Sequence, residues 1–264
     1  MTKSVAIVQP NYIPWRGYFD LIDTVDEFIL LEDIQYTARD WRNRNLIKTR
    51  HGLRWLTIPC RSRHHRARQI RDIRVVDGAW AARHWKTITH AYAGARHFGD
   101  YRDRFEARYA ATAKLTRLSA IDAAFLKEVC DVLGISTAIS SSTRYPGEGT
   151  KTDRLLSICR TAGAGRYVTG PAAAAYLETA KFDHAGIELC TIDYAGYPDY
   201  RQRFGPFEPR VSVLDLIFNE GPAAPRFLKC VPHGDGRSRL GARDAAPEPI
   251  GDRAAPAVSR ADVA

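Results

Sequence analysis

Two short, continuous apolar runs near the N-terminus constrain the fold more than any other feature of the sequence. SVAIV at residues 4–8 and EFILLED at residues 27–33 each have the length and composition of a buried strand. The segment between them, GYFDLIDTVDE, carries apolar residues at helical spacing. Because buried strands joined through an amphipathic helix are typical of parallel sheets, the N-terminal region predicts an α/β fold.

The same alternation continues along the chain. Helical patterns cover residues 79–133, 151–162 and 212–218, and strand-like segments include LRWLTIPC, LGISTAIS, RYVTG and IELCTIDY. We predict a mostly parallel, Rossmann-like sheet flanked by helices, folded as a single domain over residues 1–232. Residues 233–264 are rich in Gly, Pro, Ala, Arg and Asp, and this composition predicts a disordered C-terminal tail.

Composition narrows the class of protein. The sequence has no run of about eighteen apolar residues, which predicts no membrane span. Its N-terminus lacks a long apolar region and a cleavage site, so we expect a cytoplasmic protein. The cysteines are odd in number, widely spaced and without a CxxC pair, so we expect reduced thiols, no disulfide framework and no metal site. They are Cys60, Cys130, Cys159, Cys190 and Cys230.

The positive charge of the chain is concentrated in one stretch. The formal net charge is +9, and residues 39–74 contain twelve Lys or Arg and only two acids. A basic region of this density attracts anions, so phosphorylated small molecules, a carrier protein and RNA are all candidate partners. A solvated basic face without a specific ligand is the alternative interpretation.

Polar side chains follow the first two predicted strands. Gln9 and Asn11 come after the first strand, and Asp33 and Gln35 come after the second. The carboxyl ends of parallel strands line the ligand crevice of an open sheet, so we expect these side chains to lie close together. Asp33 is the predicted general base, which would take a proton from an amine or a hydroxyl. The alternative for Asp33 is a helix cap or an ion pair with a nearby arginine.

The segment that follows combines arginines with asparagines. If it is extended, Arg42 and Arg44 project to one side and Asn43 and Asn45 to the other. Guanidinium groups bind phosphate or carboxylate in a planar fork, and a merely charged surface would not require the two asparagines. We therefore predict that this segment, together with Arg39, takes part in binding substrate.

A second polar loop is a weaker candidate for phosphate binding. Residues 140–144 read SSSTR after a predicted strand, and residues 147–152 precede a predicted helix. Lys151 would supply a point charge there, although the Walker pattern GxxxxGK[ST] is absent. A mobile surface loop is the alternative.

Several of these motifs together resemble the WbqC-like protein family. The resemblance is carried by QPNYIPWRGYFDLI, LEDIQYTARDWRNRN, WLTIP, KTDRLLSICRTAGAGRYVTGPAAAAYL and SVLDLIFNEGP, and it covers roughly residues 4–225. It implies an acyl or aminoacyl transferase in O-antigen or natural-product biosynthesis, such as one that places glycine on an amino sugar. The family pattern maps onto Gln9, Asn11, Tyr12, Asp33, Gln35, Arg42, Asn43 and Asn45. Many members carry His or Ser where this chain has Val8, which indicates a non-catalytic position or a different substrate.

The expected reaction joins an activated acyl group, carried as a thioester on a carrier protein, to a small-molecule amine in an amide (or ester) bond. Asp33 would take the amine proton, and Gln9, Asn11 or Asn43 would stabilise the oxyanion, at about 3–4 kcal/mol per donor. The predicted substrate-binding residues are Tyr12, Gln35, Arg39, Arg42, Arg44, Asn45 and Lys151, with the arginines on phosphate or phosphopantetheine. We expect no tightly bound cofactor beyond a phosphopantetheine-linked donor.

Two other classes of protein stay open. One is an ATP-dependent ligase or nucleotidyltransferase, which the strand–loop–helix–strand start and the SSSTR loop would also suit. The other is a nucleic-acid-binding or scaffold protein that uses the basic stretch. Nucleic acid is the less favoured partner, because aromatic residues are few in that stretch and no RRM or KH signature occurs.

Overall fold

The protein is described by a computed structural model that covers residues 2–61 and 68–229. The predicted tail, Cys230 and residues 62–67 of the basic stretch lie outside the described residues. In chain order the strands are β1 (Ser4–Val8), β2 (Glu27–Leu30), β3 (Arg44–Thr49), β4 (Gly52–Thr57), β5 (Ala138–Ser141), β6 (Arg166–Thr169) and β7 (Glu188–Thr191). The α-helices are α1 (Arg16–Asp23), α2 (Ala79–Tyr92), α3 (Phe98–Thr112), α4 (Leu118–Leu133), α5 (Thr152–Thr161), α6 (Pro171–Ala174), α7 (Thr179–His184) and α8 (Val213–Glu220).

Five strands form one parallel sheet, in the order β5-β2-β1-β6-β7. The register pairs Val8 with Leu30 and Leu30 with Ser141, so the carboxyl ends of β1, β2 and β5 lie side by side. The chain builds outward from β1 first on one side and then on the other, which creates a crevice at the same ends of the strands. The predicted mostly parallel α/β fold is therefore confirmed.

Apolar side chains cover both faces of this sheet, since alternate residues of a strand point to opposite sides. Ala6 and Phe28 belong to a large core that also contains buried residues of α1 to α4 and α8. Val5 and Ile29 belong to a smaller core, completed by buried residues of α5 and α7. Helices thus pack on both faces, which explains why the strands read as continuous apolar runs.

Local sequence explains several helix ends. Ser212 caps α8 by accepting a hydrogen bond from the backbone N–H of Leu214 (3.4 Å), and Pro171 begins α6. Gly134 ends α4 with φ at 75°, a left-handed conformation that glycine adopts without strain. The region that was predicted to be helical, residues 79–133, consists of the three helices α2, α3 and α4, separated by two breaks. None of the helices in the described ranges combines the length and the apolar character needed to span a bilayer.

The basic segment differs from its prediction in two ways. Strands β3 and β4 form a separate antiparallel hairpin, and only β4 is apparent in the sequence. Residues 41–43 form turns, so the expected extended segment begins at Arg44 and does not include Arg42. The physical reason is local: the backbone N–H of Asn43 closes a turn onto the carbonyl of Asp40 (3.1 Å).

Candidate functional site

The carboxyl edge of the sheet brings together residues from three parts of the chain. Gln9 follows β1, Asp33 lies three residues beyond β2, and Ser142 follows β5. The backbone N–H of Leu31 donates to the carbonyl of Val8 (2.9 Å), which extends the pairing past the two strands. The neighbouring positions that the topological rule predicted for these strand ends are therefore present in the fold.

Asp33 is held by two donors. Its Oδ1 accepts a hydrogen bond from the Ser142 hydroxyl (2.6 Å), and its Oδ2 forms an ion pair with Arg154 Nη2 (2.5 Å). Burial alone would raise the pKa of this carboxyl, but Ser142 and Arg154 outweigh burial and hold the pKa below its ordinary value. A carboxylate with both oxygens engaged is a weak proton acceptor. The geometry favours the ion-pair alternative over a role of Asp33 as general base.

Asn45 fixes the loop that follows β1. Its side-chain amide is 3% exposed and donates to the carbonyls of Tyr12 (3.1 Å) and Ile13 (2.7 Å). Ile13 has φ at 39°, an unusual conformation for a β-branched residue, and these bonds help to hold it. The backbone geometry of this loop therefore depends on Asn45, whose predicted contact with substrate is not supported by its position.

Tyr12 is also part of the interior. Its hydroxyl accepts a hydrogen bond from Tyr109 (2.7 Å) and donates to Nδ1 of His84 (2.9 Å). Burial lowers the pKa of His84 to about 4, so the ring is neutral, and its Nε2–H faces the carbonyl of Thr57 (3.1 Å). Tyr12 is fully buried, so this chain of hydrogen bonds accounts for its hydroxyl without a substrate.

A buried acid lies beneath this loop. Asp122, on α4, is 0% exposed, and neither carboxylate oxygen has a hydrogen-bond partner among the described residues. Burial raises the pKa of Asp122 well above its usual range, and the positive charge of Arg42 offsets part of that rise. The charge of Asp122 also contributes to raising the pKa values of four other groups of the protein. These groups are Tyr12, Tyr18, Tyr36 and Cys60.

Three polar side chains of the loop after β1 and the turn before β3 also have buried atoms without a partner in the described part of the chain. Arg42 forms an ion pair with Asp40 through Nη1, but its Nε has no acceptor. Asn43 donates from Nδ2 to the carbonyl of Ile58 (3.0 Å), and its Oδ1 has no donor. Gln9 Oε1 is likewise unpartnered. We call these three residues together with Asp122 the Asp122 cluster.

The Tyr18 hydroxyl contacts the loop after β1, and its pKa responds to Asp122 and Arg42. It donates to the backbone carbonyl of Gln9 (2.9 Å), and burial raises its pKa, with further effects from Asp122 (raising) and Arg42 (lowering). Buried polar atoms in native proteins are nearly always hydrogen-bonded, so a ligand or ordered water would be needed to satisfy these unpartnered atoms. The chemistry available there is that of amides, one guanidinium and one carboxyl group.

A more exposed surface adjoins this region on the β3–β4 hairpin. The guanidinium of Arg44 lies 4.1 Å from the centroid of the Trp55 ring, and Trp41 lies 5.4 Å from Trp55. Trp41 and Trp55 are 44% and 41% exposed. An arginine stacked on an aromatic ring keeps its outer N–H groups available for a phosphate or carboxylate. The predicted anion-binding role of Arg44 is compatible with this position.

The remaining predicted residues lie around the same edge. Arg39 is exposed and has φ at 57°, and Gln35 is exposed and pairs with Gln69 through a β-bridge. Asn11 is half-buried within the loop that Asn45 fixes. Lys151 is exposed and immediately precedes α5, one turn before Arg154. The described contacts do not bring Lys151 into the Asp122 cluster.

Sequence reasoning missed three residues that organise the site. Arg154 and Asp122 lie within amphipathic helical patterns, where a charged residue is usually solvated. Asp122 had one detectable signal, since it directly follows the apolar Ile121 within the helical pattern of residues 79–133. His84 stands alone in the sequence, and no spacing links it to Tyr12.

Comparison with known proteins places the chain in a family. The model of the WbqC-like protein family matches residues 9–227. The chain is also similar to uncharacterized protein Rv1507c of Mycobacterium tuberculosis (strain ATCC 25618 / H37Rv), with 46% identity over 228 residues, which is 86% of this chain and 98% of the relative. No solved structure matches the chain significantly. The family match spans the loop after β1, strands β2 to β7 and every residue of the Asp122 cluster, so the chain belongs to the WbqC-like protein family.

Proposed function

We propose that this protein transfers an acyl or aminoacyl group from an activated thioester to an amine, and forms an amide bond. The observation that carries the proposal is the Asp122 cluster. It comprises uncharged amides, a guanidinium and a carboxyl group, and its Gln9 directly follows β1 at the carboxyl edge of the parallel sheet. Aminolysis of a thioester requires these elements: donors for an oxyanion, and an acceptor for the proton of the amine.

The contacts divide the predicted oxyanion donors. Asn43 uses its N–H₂ group on the carbonyl of Ile58, so it offers an acceptor to the site rather than a donor. Gln9 and Asn11 would present their amide donors at the crevice, and Arg42 would add the N–H of Nε, which has no acceptor among the described residues. We assign the oxyanion to Gln9 and Asn11, with each donor contributing about 3–4 kcal/mol to the stability of the transition state.

The hairpin provides the surface for the donor. Arg44, stacked on Trp55, and the exposed Arg39 would bind the phosphate of phosphopantetheine. An acidic acyl carrier protein would be attracted by the same basic stretch, which holds about ten positive charges net over residues 39–74. Asp33 would have a structural role in this arrangement, because its ion pair with Arg154 joins α5 to the segment that follows β2.

The experiment supplies purified full-length protein with glycyl-S-pantetheine and a panel of amines, including glucosamine, and detects the amide by mass spectrometry. A second arm supplies glycine with Mg·ATP. The expected result is amide formation from the thioester and none from the free acid. Product in the ATP arm alone would replace the proposal with a ligase, and product in neither arm would overturn it.

A pair of variants tests the assignment of the oxyanion. Gln9→Glu replaces the donating amide with a carboxylate of the same shape, and we expect kcat to fall by about 100- to 1000-fold. Ala110→Glu adds the same charge on an exposed part of α3 and should leave kcat unchanged. Equal rates in both variants would remove Gln9 from the reaction.

A further inference from the structure

A surface cavity with a volume of about 520 Å³ lies between the turn that joins α2 to α3, the segment after β7 and the end of α8. None of the described residues that line it belongs to the Asp122 cluster. Cavities of this size hold small organic ligands in many proteins, so the side chains of this wall indicate what it could bind. The polar ones are Arg96, Arg201, Gln202, Arg203, Asn219 and Glu220.

Three arginines give this cavity a positive charge. Arg96, Arg201 and Arg203 line it, and none of them takes part in an ion pair within residues 2–61 and 68–229. The acid of the described wall is Glu220, whose Oε1 accepts a hydrogen bond from the backbone N–H of Arg201 (3.1 Å). Three positive charges and one negative charge leave an excess of two positive charges, which attracts an anion.

The protein holds the guanidinium of Arg203 in place. Its Nη1 donates to the carbonyl of Ala91 (3.2 Å), and its central carbon lies 4.6 Å from the centroid of the Phe204 ring. Phe204 has φ at 64°, a left-handed conformation that costs energy for an aromatic residue and that often occurs at binding sites. A guanidinium fixed in this way loses little freedom when it binds an anion, and the N–H groups that Ala91 does not use are left for a ligand.

Gly94, in the turn between α2 and α3, makes room for this guanidinium. A Cβ atom on Gly94 would lie 2.8 Å from Nη2 of Arg203 and 3.0 Å from Nη1, which is closer than such atoms approach. Gly94 is not among the glycines with positive φ, so its backbone would accept alanine without strain. The missing side chain at residue 94, rather than an unusual backbone, therefore permits the position of Arg203.

The wall also contains hydrogen-bond acceptors. Asn219 is 7% exposed, and its Nδ2 donates to the backbone carbonyl (2.7 Å) and to Oδ1 (3.3 Å) of Asp215. Because Nδ2 makes both contacts, the Oδ1 of Asn219 is left to accept a hydrogen bond from a ligand. The carboxylate of Glu220 is a second acceptor in the wall. Arginines suit an anion and these acceptors suit hydroxyl groups, so the ligand should carry both.

We infer that this cavity binds a small phosphate ester that also carries hydroxyl groups. The phosphate oxygens accept from the guanidinium groups, which bind phosphate through parallel pairs of N–H donors. The hydroxyl groups donate to Asn219 and Glu220. A free sugar lacks the anion, and inorganic phosphate lacks the carbon-bound hydroxyl groups. The inference does not depend on the proposed function, since that function assigns no role to the residues of the cavity.

The test measures binding of glucose 6-phosphate, glucose and inorganic phosphate to the full chain by calorimetry. We expect glucose 6-phosphate to bind at least tenfold more tightly than glucose and at least threefold more tightly than inorganic phosphate. Its affinity should fall as the salt concentration rises, because the contact is ionic. Absence of binding, or an affinity for glucose 6-phosphate equal to that for either other probe, would overturn the inference.

Three variants locate the binding. Arg203→Gln should lose at least tenfold in affinity for glucose 6-phosphate. Gly94→Ala keeps every charge but displaces the guanidinium of Arg203, so it should lose at least threefold. Arg102→Gln removes the same charge from an exposed position of α3 outside the cavity, and it should bind as the unchanged protein does.

The variants also decide against the inference. Unchanged affinity in Arg203→Gln, or an equal loss in Arg102→Gln, would overturn it. Where Arg203→Gln fails to fold, Gly94→Ala decides, because the backbone at this position accepts alanine. Unchanged affinity in Gly94→Ala would then show that the fixed guanidinium does not bind the phosphate.

Discussion

Two buried aspartates of this protein have the same burial and opposite surroundings. Asp215, on α8, is 1% exposed, and both of its oxygens accept hydrogen bonds, from the hydroxyls of Tyr92 (2.8 Å) and Tyr200 (2.8 Å). Asp122 is 0% exposed and has no donor among the described residues. Burial alone therefore does not distinguish these two acids, whereas the set of donors around each carboxylate does.

The pKa values of the two acids show the same contrast. Burial raises the pKa of Asp215, and the hydroxyls of Tyr200 and Tyr92 lower it again in part. Burial also raises the pKa of Asp122, to well above its usual range, and the charge of Arg42 opposes that rise. The same fold thus surrounds one aspartate with donors and leaves the other without any among the described residues.

The largest expected effect is the loss of protein stability when Asp215 is replaced. Asp215→Ala leaves the hydroxyls of Tyr92 and Tyr200 buried without an acceptor, so we expect the free energy of unfolding to fall by about 4 kcal/mol. Urea denaturation measures it. Tyr200→Phe, which removes one donor only, should cost about 1 kcal/mol. If Asp215→Ala lowers the free energy of unfolding by less than about 1 kcal/mol, the hydroxyl donors of Asp215 add little stability, and they do not set it apart from Asp122.

Asp33 is intermediate, since it is half-buried and has two donors. Asp33→Asn removes the charge that Arg154 faces, and we expect a loss of about 2 kcal/mol at pH 7. The pKa of Asp33 is lowered in the folded protein, so its contribution is present above the unfolded value near 4 and is lost as pH falls through the folded value. Unfolding curves at a series of pH values should show the two proteins converging in acid; a constant gap would contradict this account.

The contribution of Asp122 to protein stability should depend on pH in the opposite way to that of Asp33. Its folded pKa is raised, so the folded state binds more protons than the unfolded state between the unfolded pKa near 4 and the folded pKa. Stability relative to Asp122→Asn should fall as pH rises, by up to about 1.4 kcal/mol per pH unit in this window. Parallel stability curves for the two proteins would show that Asp122 is ionised and has a partner.

The smallest effect belongs to Asp23, at the end of α1. Burial, with a smaller contribution from Asp20, raises the pKa of Asp23 to about 6. Carbon-13 NMR of the carboxyl groups should show one aspartate with a titration midpoint near pH 6, and Asp23→Asn should remove that signal. A midpoint near pH 4 would mean that water reaches Asp23. Its Oδ2, which has no partner among the described residues, would then be hydrated, in contrast to the oxygens of Asp122.

The sequence predicted the parts of the fold that depend on local pattern. Strands β1 and β2 read as apolar runs because both faces of the sheet are covered, and the register then places Gln9 and Asp33 at one edge. The hairpin strand β3 was not predicted, because polar residues such as Asn45 and Lys48 are typical of solvated segments. In the structure both are buried. Those two residues are buried because they bond to distant loops, and no local pattern records such contacts.

The candidate site was predictable only where it follows strand ends. The pairing of Asp33 with Arg154 joins residues 121 positions apart, so the sequence offered an ion pair as an alternative without identifying the arginine. Asp122 comes from a helix that packs beneath the loop, and its position depends on how α4 meets the turn containing Arg42. A single sequence does not determine helix packing of this kind.

The neighbouring tryptophans Trp41 and Trp55 have an optical consequence. Both are partly exposed near Arg44, whereas Trp80 and Trp85 are buried in the core. The emission of this protein should therefore contain a long-wavelength component that iodide quenches and a short-wavelength component that it does not reach. The first would respond to an anion that occupies Arg44, and the second would change only when the core unfolds, so one fluorescence titration distinguishes occupancy of the hairpin from loss of structure.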